Sequence, residues 1–148
     1  MLSVAETTAA QDNCLQDIDN VQHYRIIDTI AVMIFDLKNN LLLIERVLRN
    51  HPGESADWLA SVIEFCDKDE KELYRQLNSK RMWGGAGSIA NQALADNPGM
   101  DEWAWQAEIR TFRELMIELG SHLQARGNAY PDISSWLLAF SNWNQSEV

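Results

Sequence analysis

Apolar residues recur along this chain at three- and four-residue steps, the spacing that places them on one face of a helix. Ile27, Ile30, Ile34, Leu37, Leu41, Ile44 and Leu48 form the first such stripe, predicting a central helix over Val21 to Asn50. Asn39-Asn40 is its weak point, because asparagine side chains compete for backbone hydrogen bonds, so two consecutive helices are the alternative. His51-Pro52-Gly53 ends the element in either case. Trp58, Leu59, Val62, Ile63 and Cys66 predict a short helix, and Leu73, Tyr74 and Leu77 another, which together make a helical hairpin over 54–66 and 69–79.

After the glycine-rich stretch Lys80 to Ser88, a short helix is expected over Ile89 to Ala95, and Asn97-Pro98-Gly99 breaks the chain. Ala104, Ala107, Phe112, Leu115, Met116, Leu119 and Leu123 then predict a long helix from Asp101 to Arg126, with Gly127 closing it. Gly120 inside it costs about 1 kcal/mol relative to alanine. Trp136, Leu137 and Phe140 mark a final helix over Ile133 to Phe140. No alternating strand pattern and no tandem repeat is found. The reading is an all-α fold, a single compact domain of about five to six helices over 21–148 behind a small, polar and flexible leader over 1–20.

Length and composition support that picture. The 148 residues fit one domain, and 46% hydrophobic with 23% charged residues is the balance of a globular chain. Lys and Arg number 12 against 22 Asp and Glu, a formal charge of −10, which argues against nucleic acid as partner and for a basic protein. The charge is uneven: residues 1–74 carry 6 basic and 14 acidic side chains, and residues 75–148 carry 6 and 8. The first 22 residues hold no Lys or Arg and no continuous apolar run, so neither a signal peptide nor a membrane span is read, and a cytoplasmic protein is expected. Cys14 and Cys66, with no paired spacing, fit reduced thiols.

Candidate chemistry is sparse. Gly85, Gly87 and Ala90 match a G-x-G-x-x-A dinucleotide pattern, yet a helix and polar residues precede it where a buried strand is needed. Sharp turning, close packing and a Ser88 cap explain the loop better. Glu114, Glu118 and His122 align on one helix face, but a metal site there would need ligands from a second element, and a solvated stripe is the simpler reading. No nucleophile or acid–base pair stands out, so neither an enzyme, a metal nor a cofactor is called for. Six tryptophans are many for this length, and Trp103 and Trp105, two residues apart on a helix, point about 200° from each other. Both cannot be core. An exposed tryptophan beside Asp101 and Glu102 suits a binding hot spot.

From about Leu43 to Leu94 the chain resembles a family of small bacterial proteins of unknown function. The resemblance is carried by Ile44-Glu45-Arg46-Val47-Leu48-Arg49, Ala56-Asp57-Trp58-Leu59, Glu72-Leu73-Tyr74-Arg75-Gln76-Leu77 and the turn Gly84-Gly85-Ala86-Gly87-Ser88-Ile89-Ala90-Asn91. Proteins similar to these resemble immunity partners of polymorphic or contact-delivered toxins, and the resemblance implies a non-enzymatic protein that neutralises a cognate toxin by covering its active surface. The residues expected to bind the partner are Asp67, Asp69, Glu70, Asp101, Glu102, Trp103 and Trp105. A monomer or weak homodimer is expected when free. The alternatives are a homo-oligomeric regulatory or structural protein and a metal-dependent hydrolase.

Overall fold

The computed structural model describes residues 35–95, 97 and 99–146. The chain divides into two units, Met1–Phe35 and Asp36–Val148, and all the described helices belong to the second. The leader over 1–20 and the opening of the helix expected from Val21 lie outside the described residues. Among the described residues the fold is all-α, with no strand.

Asp36 opens α1 (Leu37–Leu48): its backbone is extended and its carboxylate accepts the Asn39 N–H at 3.1 Å. This Asp36 cap, rather than Asn39-Asn40, marks a helix boundary, because an aspartate outside the helix satisfies a first-turn N–H that would otherwise lack a partner. Asn40 lies within the first turn and is buried, its amide donating to the Leu115 carbonyl at 3.0 Å. Beyond it, Leu41, Ile44, Val47 and Leu48 form the buried stripe. The chain turns at His51 and continues as α2 (Ser55–Ile63), a 3-10 turn over Glu64–Asp67, and α3 (Glu70–Leu77), which Asp69 caps by accepting the Glu72 N–H. The expected hairpin is therefore present.

Two single turns follow, α4 (Lys80–Trp83) and α5 (Ile89–Gln92), the second shorter than the Ile89 to Ala95 expected. Ser88 caps α5 by accepting the Asn91 N–H, and Gly85 and Gly87 take positive φ to bring the chain there. Trp83 is fully buried and its indole N–H donates to the Leu77 carbonyl, while its own carbonyl accepts from Trp136 at 2.7 Å. The loop thus packs through tryptophan.

The long helix α6 (Glu102–Arg126) runs between an Asp101 cap, which accepts the Ala104 N–H, and Gly127, whose N–H donates to Leu123 and Gln124 carbonyls. Twenty-five residues at about 1.5 Å each give a rod of roughly 37 Å. Its buried face, including Trp105, Phe112, Met116, Leu119 and Leu123, is packed by α1 on one side and by α7 (Ile133–Gln145) on the other. α7 continues past Phe140 because its last turn is tied down: Asn144 accepts from Arg113 through its side chain and from Arg110 through its carbonyl. Arg113, 2% exposed, also donates to the Ala93 carbonyl and lies 5.0 Å from the Trp143 ring, so one guanidinium joins the α5 end, α6 and α7.

Gly120 sits where α6 packs closely against Ile133 and Leu137 of α7. A Cβ there would meet Leu137 Cδ2 at 2.7 Å and Ile133 Cγ2 at 3.0 Å, and Ile133 is fully buried and stiff at χ1. The helix-propensity cost of glycine is the condition for that approach. Gly120→Val is expected to lower unfolding stability by about 2–3 kcal/mol through overpacking, despite the better helix former, as read by urea denaturation; an unchanged midpoint would show that α7 shifts freely.

Candidate functional site

The seven residues expected to bind a partner separate into two groups at opposite ends of α6. Asp67, Asp69 and Glu70 lie at the turn into α3, and the Glu70 carboxylate is 3.9 Å from Arg126 in the last turn of α6. Asp101, Glu102, Trp103 and Trp105 lie at its first turn. The rod between them is roughly 37 Å long, whereas a standard interface of about 800 Å² per partner is roughly 30 Å across. One compact footprint does not centre on both.

Within the first group each charge is engaged locally. Asp67 pairs with Lys38 at 2.7 Å, which raises the lysine pKa, and Asp69 caps α3. Beside this group is an open pocket of about 460 Å³, lined among others by Tyr74, Arg75, Asn78, Arg126 and Asn128. The Tyr74 hydroxyl and His122 Nε2 are hydrogen-bonded at 2.7 Å, and the Arg126 guanidinium lies 3.6 Å from the Tyr74 ring centre. Burial and the Arg126 charge push the His122 pKa down, and burial pushes the tyrosine up, so this pair is neutral at pH 7. Arg75 is held by the Glu72 carboxylate, whose pKa falls to about 2 for that reason. His122 is thus turned toward α3, while Glu114 and Glu118 face solvent, and no cluster of three or more His, Cys, Asp or Glu side chains suited to a metal is found among the described residues.

The second group differs in kind. Trp103 is 82% exposed and Trp105 is 6% exposed, the divergence that 200° of helix rotation requires. Trp105 meets the His51 ring edge-on at 4.7 Å, and His51 also meets Phe112 at 5.7 Å, so the buried tryptophan anchors the first turns of α6 from beneath. Asn50 reinforces this, its amide bonding both Glu108 carboxylate oxygens at 3.0 and 3.1 Å. Trp103 therefore projects from a fixed base. Of the remaining tryptophans, Trp83 and Trp136 serve the core, Trp58 is half-buried with Arg81 near its ring, and Trp143 is partly covered by Arg113.

Next to Trp103 runs a cleft of about 390 Å³ between α1 and α6. Leu43, Val47, Ala104, Ala107 and Leu115 give it apolar walls, and Arg46, Glu108 and Thr111 stand at its polar edge. Sequence spacing pointed to the tryptophan but missed the cleft, because α1 and α6 lie some sixty residues apart in the chain and only packing brings them together. No helix among the described residues is long and apolar enough to cross a membrane. Comparison with protein-family models, with curated proteins and with solved structures finds no match.

His51 gives this end of the molecule a pH dependence. Its Nε2 is buried with no hydrogen-bond partner among the described residues, and burial pushes its pKa down, as it does for His122. The unfolded chain takes up protons at about pH 6.5 and the folded chain only below that, so stability is full above pH 6.5 and falls as pH drops beneath it. The urea midpoint is expected to decrease between pH 7.5 and 5.5, and to decrease less in His51→Phe, which keeps a ring against Trp105. Equal pH dependence in both proteins would remove His51 from the account.

Proposed function

We propose that this chain is a non-enzymatic immunity protein, acting in the cytoplasm, that binds a basic bacterial toxin and covers its active surface. The observation that carries this reading is the exposed Trp103, held rigidly by the buried Trp105–His51 contact and flanked by Asp101 and Glu102. An aromatic ring of that size held in water is a hot-spot residue waiting for a partner, and a net charge of −10 steers a basic one toward it. Asp101 and Glu102 add negative charge at the contact even as Asp101 caps α6. Trp105 contributes by positioning. The second acidic group, Asp67, Asp69 and Glu70, adds long-range attraction from the far end of α6 and is not part of the same footprint.

The test is capture of the stoichiometric partner from the native host, followed by expression of that partner alone and together with this chain. A basic protein that kills alone and is silenced by co-expression supports immunity. A chain that comes down only with itself, as a stable oligomer by light scattering, moves the reading to a homo-oligomeric regulatory protein. Trp103→Ala is expected to weaken the complex by at least about 2 kcal/mol, roughly thirtyfold in Kd, while changing unfolding stability by no more than about 0.5 kcal/mol. Raising salt is expected to slow association; an on-rate that ignores salt would remove charge steering.

A further inference from the structure

We infer that the cleft between α1 and α6 receives an amphipathic, Lys/Arg-bearing helix of a partner protein, an assignment that rests on the reading above and names the chemistry of its partner. Three features of the cleft select this occupant. The first is shape: its walls are two helices, and from Ala104 to Leu115 it runs eleven residues, about 17 Å, or three helical turns. Ala104 and Ala107 lack bulk, which lets a third helix come to the usual interaxial distance of about 8–10 Å.

The second is the backbone. A helix satisfies its own N–H and C=O groups, whereas an extended segment laid between two helices finds no backbone edge with which to pair. Apolar walls therefore suit the apolar face of a helix with anchors at i, i+4 and i+7.

The third is charge. On a helical projection, Trp103, Ala107, Thr111, Glu114 and Glu118 fall within about 80° of one another, and all five are exposed. The outer face of α6 thus joins the tryptophan, the small residues of the cleft and two carboxylates in one track, with Asp101 and Glu102 at its start. Glu108 edges the cleft too. Against these acids stand Arg46 on the cleft edge and Arg110, whose guanidinium donates to the Asn144 carbonyl. The face is acidic around an apolar trough. A helix that is apolar on one side and basic on its flanks matches both features at once.

The experiment uses the full chain and a synthetic probe, a capped peptide of about 18 residues, five turns, with leucines on one helical face and lysines elsewhere. A second peptide of the same composition, scrambled to lose its apolar face, is the control. Binding is followed by amide NMR shifts on the wild-type chain, on Ala107→Phe, which fills the cleft, and on Thr111→Phe as an independent block. The expected result is shifts concentrated at Leu43, Val47, Ala104 and Ala107, with affinity at least about tenfold weaker for the scrambled peptide and for either variant. Shifts centred elsewhere, equal binding of the scrambled peptide, or full binding to both folded variants would overturn the assignment. A toxic partner silenced equally by the wild type and by both variants would leave the immunity reading standing and remove this one; helix binding in the cleft with no toxic partner would do the reverse.

Discussion

A long helix can be covered on only part of its circumference by the few helices a small domain supplies, and α6 is the element on which this constraint acts. Its core face must be buried, and α1 and α7 do so from two sides. The α7 side is closed tightly, because Gly120 lets Ile133 and Leu137 approach and because Arg113 and Arg110 secure the last turn of α7. On the α1 side Asn40 bonds the Leu115 carbonyl, but farther along the alanines of α6 leave the two helices unfilled. Among the described residues, the cleft and the exposed Trp103 are the parts of α6 that α1 and α7 leave uncovered.

Rigidity at that end comes from edge-on aromatic contacts rather than from ion pairs. His51 packs against Trp105 and Phe112, and neighbouring Asn50 ties to Glu108 and accepts from Asn97. The imidazole must remain neutral to stay there, since a charged ring in that setting would lack a counter-group among the described residues. The base of the proposed binding surface is therefore firm at neutral pH and weaker in acid.

What was legible in the sequence is what local chemistry decides. Asp101 and Gly127 bounded α6 because a cap acts within three residues, and the opposed directions of Trp103 and Trp105 followed from rotation per residue alone. The helical hairpin and the Ser88 cap were readable for the same reason. What was not legible depends on partners far along the chain. Asn39-Asn40 reads as a weak point of the helix because the Asn40 bond to Leu115 spans 75 residues, and Tyr74 and His122, 48 residues apart, carry no local sign of each other. The last turn of α7 was missed because Arg110 and Arg113 hold it from α6. The acidic residues show the limit most clearly: Asp69 and Asp101 stand among the acids expected to bind a partner, yet each also opens a helix as its N-cap.

The central claim is that the first half of α6 is the recognition surface of an immunity protein and the far end is not. Its most direct measurement is amide hydrogen exchange of the chain alone and in complex with its captured partner, resolved along α6. The account predicts added protection over residues 101–111 and the facing turn of α1 around Leu43 and Val47, with little change at Glu70, Tyr74 and Arg126. Protection centred on that Tyr74 and Arg126 end, with 101–111 unchanged, would contradict it.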